Sequence, residues 1–292
     1  MLKIGSLCTG YGGLDMATEA FFNAETVWTC EFDKYASKII ETRIAKPNYG
    51  NLKTTDWSQV EPIDILTAGY PCQPFSHAGL RKGTEDERHL WPYIKEIIGL
   101  LRPSFVVLEN VRGHFSLGFR EVLGDLADIG YDARWRLIRA SDVGAPHRRE
   151  RLFILAYPNS SRRTRTESGY IQTPQSRHCR GNIDEHSHTN GERCTLVTDN
   201  SREERNQGQS QFIAHKLVEA IYNQEVPPPL EEGRLNVKFV EYMMGLPSGW
   251  VTGIDLPRAQ MLKILGNGVV PQQALKALQL LHSYPQKLST GG

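Results

Sequence analysis

"LKIGSLCTGYGGLDMATEAFF", residues 2–22, passes from a short apolar run through three closely spaced glycines into apolar residues at three- and four-residue spacing. This is a strand, a tight turn and a helix, the arrangement that brings backbone N–H groups up to a cofactor near a helix N-terminus. A second apolar run, ETVWTCEF, ends in Glu31, the position from which an acid hydrogen-bonds ribose hydroxyls. The competing reading of Glu31 is a solvated acid at a strand end.

The same rhythm continues to residue 157. DILTAGY, SFVVLEN, DARWRLI and RLFILAY read as further buried strands, being short and rich in β-branched or aromatic residues. KYASKIIETRIA, LWPYIKEIIGLL and FREVLGDLADIG carry helical spacing between them. The fold expected is α/β, a mostly parallel sheet with helices on both faces, Rossmann-like, joined to a small irregular domain. A third strand-end acid is expected at Asp56 in TTDWSQ, where it meets an adenine amino group. Phe32 and Trp57, directly after Glu31 and Asp56, offer rings to sandwich the adenine, against a competing role in core packing.

The next strand leads to TAGYPCQPFS, residues 67–76, in which one thiol stands between two prolines. Proline fixes its own φ and restricts the residue before it, so Pro71-Cys72-Gln73-Pro74 is a stiff turn holding one side chain in one direction. Cys72 is therefore a candidate nucleophile, with an inert buried thiol as the alternative. Glu109 and Asn110 close the following strand, and a half-buried carboxyl beside a thiol serves as an acid near neutral pH. His147-Arg148-Arg149-Glu150-Arg151 then supplies guanidinium groups that clamp a phosphate or order a carboxylate.

From Asn159 to about Gln211 the chain is polar, nearly without aliphatic residues and without a period, too apolar-poor to hold a core alone. Its first part is basic, with Arg162, Arg163 and Arg165 among the arginines. FIAHKLVEAIYN, residues 212–223, is an amphipathic helix candidate, three prolines at 227–229 form a spacer, and PQQALKALQLLHSY is a closing helix begun at Pro271.

The bulk properties bound the function without deciding it. The 292 residues carry a formal net charge of +1, so no global field argues for or against a nucleic-acid partner. Five scattered cysteines argue for free thiols and a reducing, cytoplasmic setting. The chain opens without a charged-then-apolar leader and holds no apolar run that spans a bilayer, so a soluble protein is expected. His178, Cys179, His186, His188 and Cys194 match no standard zinc spacing, and no metal is expected.

Six blocks, GSLCTGYGGLDMA, CEFDKYASKIIE, GYPCQPFSHAG, LENV, HRRERLFI and LGNGVVP, resemble in order and spacing the C5-cytosine DNA methyltransferases of bacterial or phage type. The resemblance covers roughly residues 3–157 and 234–280. It implies S-adenosylmethionine as methyl donor, double-stranded DNA as substrate, and base flipping of the target cytosine. It implies further that Cys72 adds to cytosine C6, that Glu109 contacts N3 and N4, and that Arg149 and Arg151 buttress the site. For the cofactor it implies Cys8, Gly10, Gly12, Gly13, Glu31, Phe32, Asp56, Trp57, Pro71, Asn267 and Val269. For DNA it implies Ser76, then Arg81, Lys82 and Arg88 in the loop after the nucleophile, and the arginines of the polar segment.

A catalytic domain of residues 1–157 and 256–292 with a target-recognition domain of 158–255 is expected, the last helix folding back against the first strand. The resemblance leads us to expect a monomer, with a cognate restriction endonuclease acting separately as a candidate partner. Three positions depart from the family pattern: Cys8 stands for a common phenylalanine, His147 for a glutamine, and Met243-Met244 for the usual ending of the ninth motif. Transfer-RNA methylation, a non-catalytic DNA-binding relic and a nicotinamide dehydrogenase are the rival readings. Gln73-Pro74-Phe75-Ser76 follow the DNA pattern, and a dehydrogenase leaves Pro71-Cys72 unexplained.

Overall fold

The computed structural model describes residues 1–71, 90–159 and 225–283. Its centre is a six-stranded sheet of β1 (Leu2–Leu7), β2 (Ala24–Cys30), β3 (Ile65–Gly69), β4 (Phe105–Val111), β5 (Tyr131–Ile138) and β6 (Arg151–Pro158), in the spatial order β2-β1-β3-β4-β6-β5. The pairs β1–β2, β1–β3 and β3–β4 are parallel, whereas β6 runs antiparallel to both β4 and β5. The mostly parallel sheet is as expected, with one reversed strand that apolar content alone does not reveal.

Side-chain alternation divides the core into two layers. On one face Leu66, Ala68, Val106 and Leu108 pack against Ile94, Ile97 and Ile98 of α3 (Trp91–Leu101) and Val122 and Leu126 of α5 (Phe119–Asp128). The other face carries Ile65, Val107, Phe153 and Leu155, covered by Leu14 and Ala17 of α1 (Gly13–Phe22) and Leu275 and Leu278 of the closing helix. Each such fully buried aliphatic or aromatic side chain contributes about 1.5–3 kcal/mol of transfer free energy. Between α3 and α5 a short helix, α4 (Arg112–Ser116), leaves β4 directly after its acidic end.

α1 follows Gly12, whose φ of 83° is open to glycine. α2 (Lys34–Ile39) is capped by the Asp33 carboxylate, which accepts from the N–H groups of Tyr35 and Ala36. KYASKIIETRIA is not one uniform helix, because Ile40–Ile44 widen into a π-turn that ends on Ala45 in left-handed geometry.

The chain after residue 230 forms a two-residue hairpin, β7 (Leu230–Glu231) and β8 (Arg234–Leu235), then α6 (Val237–Met243), α7 (Arg258–Asn267) and α8 (Pro271–His282). α8 begins at Pro271 as the sequence predicts. It lies chiefly along α1 and across β5 and β6, and the buried Ile4 of the first strand belongs to the same core cluster. Met244, Leu246 and Val251 pack with Tyr11, Ile39 and Leu265 in a third core cluster. Glu241 holds the loop between α6 and α7, its buried carboxylate accepting from Gly249, Val251 and Thr252.

Tyr11 ties these late elements to the glycine turn. Its phenol donates to the Val269 carbonyl at 2.6 Å, and its own carbonyl accepts from the Trp250 indole at 2.9 Å. The ring lies so close to Gly268 that a Cβ there would stand 1.8 Å from Tyr11 Cε1. Gly268 has an ordinary φ of −72°, so its requirement is steric. Gly268→Ala is expected to lose about 3 kcal/mol of stability. Gly124→Ala, inside α5 with nothing within 4 Å of the new methyl group, should gain about 0.5–1 kcal/mol. Equal thermal midpoints for the two variants by circular dichroism would contradict this packing.

Candidate functional site

In an open α/β sheet the crevice lies at the carboxyl ends of the strands where successive connections diverge. Here β2 is added on one side of β1 and β3 on the other, so the divergence falls between β1 and β3. Leu7 pairs with Ala68 and Gly69 with Glu109, which sets the glycine turn, the Gly69-Tyr70-Pro71 exit and the Glu109 carboxyl side by side. Antiparallel pairing of Val111 with Arg151 adds the start of β6.

At the turn, Cys8 continues the β1–β2 ladder through its N–H to the Cys30 carbonyl at 2.8 Å and adopts a φ of 52°. Burial pushes its thiol pKa up, so Cys8 is a neutral side chain. Gly10, at φ 60°, donates its N–H to Glu31 Oε2 at 2.8 Å, and a Cβ on Gly10 would meet nothing within 4 Å. Glu31 Oε1 accepts from Asp33 N–H at 2.8 Å, so the backbone orients the half-buried carboxylate while each oxygen retains accepting capacity. Phe32 beside it is 78% exposed. Below the turn, buried Asp15 accepts from Ser6 and Thr67 hydroxyls, joining β1, β3 and α1.

Asp56 differs from expectation. Residues 51–60 form turns, with no strand between β2 and β3, and Asp56 is exposed with its carboxylate engaged by the N–H and hydroxyl of Ser58. Those donors lower its pKa. Trp57 takes the packing role: it is 8% exposed, lies 5.6 Å from the Trp28 ring, and donates its indole N–H to the Leu52 carbonyl. Phe32 is thus the free ring of the expected pair. Asn267 is exposed at the end of α7, Val269 is buried beside Gly69, and Pro71 is exposed.

Glu109 is 6% exposed on the same sheet face as Val107. Burial raises its pKa to about 7, opposed by the guanidinium groups of Arg151 and Arg149. Arg151 Nε lies 3.0 Å from Glu109 Oε1, yet without an aligned hydrogen bond, so a buried acceptor is left for another donor. Arg149 instead donates through Nη2 to the carbonyls of Gly266 at 2.8 Å and Gly268 at 2.6 Å, binding the segment after α7 to the start of β6.

Further residues support the strand exit beside Glu109. Asn110 donates to the Tyr70 carbonyl at 3.1 Å and holds the main chain just before Pro71, while the Tyr70 phenol meets His114 Nε2 at 3.0 Å. Burial lowers the His114 pKa to about 4, which keeps that ring neutral. Two of the three departures from the family pattern meet, His147 Nε2 lying 2.9 Å from the Met243 carbonyl oxygen. Among the described residues no cluster of metal-ligating side chains occurs and no helix is long and apolar enough to cross a membrane. Cys72, Ser76, Arg81, Lys82, Arg88, Arg162, Arg163, Arg165, the histidine and cysteine set at 178–194 and the helix expected at 212–223 lie outside the described residues.

The profile of the family described as C-5 cytosine-specific DNA methylase matches residues 2–226. The Type II methyltransferase M.NgoBI of Neisseria gonorrhoeae is 36% identical over 165 residues, spanning 55% of this chain and 52% of that protein. M.HhaI of Haemophilus parahaemolyticus is 32% identical over 163 residues, spanning 54% and 50%. The matched part of the chain thus spans about half the length of these curated relatives. Among solved structures, a Dnmt2 methyltransferase of S. pombe superposes with a TM-score of 0.62 at 17% identity, covering 96% of this chain and 98% of that one. The methyltransferase EhMeth of Entamoeba histolytica gives 0.60 at 18% identity, covering 97% of each. These two likenesses establish the fold alone. With its sheet, its glycine turn and its buried acid in register, and with most of its length matched by one profile, the chain belongs to the C-5 cytosine-specific DNA methylase family.

Proposed function

We propose that this protein transfers a methyl group from S-adenosylmethionine to C5 of a flipped-out cytosine in duplex DNA. The observation that carries the reading is Glu109: a buried carboxyl with a pKa near 7, flanked by two arginines and set in register with the strand that leads to Cys72. The family's description as a cytosine-specific DNA methylase supports DNA as acceptor.

The described residues fit the cofactor. The open space over Gly10, the backbone-oriented Glu31 carboxylate and the exposed Phe32 ring suit a methionine moiety, a ribose and a purine respectively. When bound, S-adenosylmethionine supplies an electrophilic methyl group on a sulfonium. Val269 and Asn267 close the pocket from the chain's far end, and Pro71 and Cys8 line it from the strand ends. Asp56 contributes from its turn, where the Ser58 hydrogen bonds orient its carboxylate and lower its pKa.

Cytosine C5 becomes nucleophilic only when the ring is activated. The Cys72 thiolate forms a bond to C6, the 5,6 electron pair moves to C5, and Glu109 delivers its proton to N3 as charge develops there. Its unclaimed Oε1 acceptor is suited to the exocyclic amine. Arg151 holds the carboxyl in place and Arg149 holds the wall behind it. After methyl transfer, loss of the C5 proton returns an electron pair to the ring, the sulfur leaves as thiolate, and the N3 proton returns to the Glu109 carboxylate.

Residues 77–90 are proposed as the loop over the extruded base, with Arg81, Lys82 and Arg88 meeting phosphates beside Ser76. The segment 158–255 is proposed to hold the target-recognition residues, Arg162, Arg163 and Arg165 among them, with residues 1–157 and 256–292 as the catalytic domain. We read the enzyme as a cytoplasmic monomer, with a restriction endonuclease acting separately as a candidate counterpart.

Incubation with tritiated S-adenosylmethionine and either duplex DNA or transfer RNA tests the reading: label should enter DNA in one recurring sequence context, and label in transfer RNA alone would overturn it. Cys72→Ala is expected to abolish turnover while binding the cofactor as the wild type does. Glu109→Gln should cut the rate by about 10²–10⁴-fold. Because the acid works in its protonated form, wild-type kcat/KM should fall as pH rises through about 7, and Glu109→Gln should lose that falling limb. Phe32→Ala should weaken cofactor binding about 10-fold by calorimetry, a loss of roughly 1.4 kcal/mol, and leave thermal stability unchanged.

A further inference from the structure

Arg149 adopts a φ of 28°, a left-handed value that costs a non-glycine residue about 1–3 kcal/mol unless its surroundings impose it. Its carbonyl is held by Gln273, on the first turn of α8 and 0% exposed. Its Nε2 donates to two carbonyls at once, Ile138 at the end of β5 and Arg149 itself, each at 2.7 Å. Two carbonyl acceptors require the NH2 end of the amide there, so its orientation is fixed. Its Oε1 is buried without a hydrogen-bond partner among the described residues. Retaining such an amide in a core that α8 otherwise fills with Ala274, Leu275, Ala277 and Leu278 costs free energy that packing does not return.

We propose that Gln273 is a positioning residue for the catalytic acid: by fixing the Arg149 main chain it aims Arg151, two residues on, at Glu109. The route is short, and from Arg149 to Arg151 it runs along two residues of main chain. Gln273 holds the Arg149 carbonyl, Arg149 locks its guanidinium onto Gly266 and Gly268, and β6 then starts with Arg151 Nε 3.0 Å from Glu109 Oε1. The charged and titratable groups facing Glu109 among the described residues are Arg151 from β6, Arg149 from the turn before it and the Tyr11 phenol from the glycine turn. Gln273 carries no charge, and its effect on the acid passes only through the arginines. The role in catalysis rests on the proposed methyl transfer, whereas the effect on the Glu109 proton does not.

The test is Gln273→Met, which keeps the length and removes the donors, beside Gln273→Asn, which keeps the amide but retracts it by one methylene. The Glu109 carboxyl is followed by carbon-13 NMR during a pH titration of selectively labelled protein, the signal being assigned by its loss in Glu109→Gln. With Arg151 no longer aimed, less opposes the effect of burial, and the Glu109 midpoint should move to higher pH by about 1 in either folded variant. The falling limb of kcat/KM should move with it, and kcat should drop about 10- to 100-fold while KM for S-adenosylmethionine stays the same. A Glu109 midpoint unchanged in a folded variant overturns the proposal, even where the thermal midpoint falls, since a merely structural glutamine would lower stability alone. A shifted midpoint in a protein that methylates nothing sustains the positioning role and removes the proposed function instead.

Discussion

The contact between the Tyr11 ring and Gly268 is the constraint on which the site depends. Tyr11 sits inside the glycine turn, 258 residues before the Val269 carbonyl that accepts its phenol, and no larger residue fits where its ring meets Gly268. The turn that is to approach a cofactor is therefore not set by its own glycines. Gly10 and Gly12 make the left-handed geometry affordable, and Tyr11 selects one arrangement among those that glycine permits. Both ends of the chain must be in place before the carboxyl edge of the sheet has its shape, which accounts for the burial of Gly13 beneath the Val269 carbonyl and for the Trp250 indole bonded to the Tyr11 main chain.

The electrostatics follow from that closure. Packing α8, the Gly266–Val269 segment and the start of β6 over the sheet takes Glu109 out of water, and desolvation raises its pKa while leaving the arginines effective at short range. A carboxyl at the same distance from Arg151 on an open surface would stay ionised and be screened. Asp15 experiences the same burial, with its pKa raised to about 6, but Ser6 and Thr67 both donate to it, and it serves the turn rather than the crevice. The two buried acids thus differ in their partners: Asp15 has its hydroxyl donors, and Glu109 keeps an oxygen that no aligned hydrogen bond occupies among the described residues.

Much of this was legible in the sequence because it is periodic or local. Six apolar runs became six strands of one sheet, the glycine turn lies where the strand-turn-helix pattern places it, and Pro271 opens the last helix. What escaped is long-range or non-periodic. TTDWSQ has the acid and ring of a strand end but folds as turns, since two threonines, an aspartate and a serine satisfy one another locally through side-chain bonds such as Ser58 to Asp56. Trp57 was drawn into the core by Trp28 and Tyr49, whose distance in the chain carries no period. The reversal of β6 is invisible because a strand buried on both faces reads the same in either direction. Gln272 and Gln273 look like the polar side of an amphipathic helix, and both are buried.

The departures from the family pattern show which contacts tolerate exchange. His147 reaches the carbonyl oxygen of Met243, a main-chain atom that every residue at that position would present. A contact to backbone fixes where residue 243 lies and leaves its side chain free to vary. Met244 is buried beside Leu246 and Val251, where an unbranched side chain fills the third core cluster without needing a partner. The ninth motif can therefore lose its usual ending while α6 stays docked, because the docking is carried by main-chain acceptors and apolar volume. At Gly268 and Glu109 the contact is made by the side chain or by its absence, so the same freedom does not extend to them.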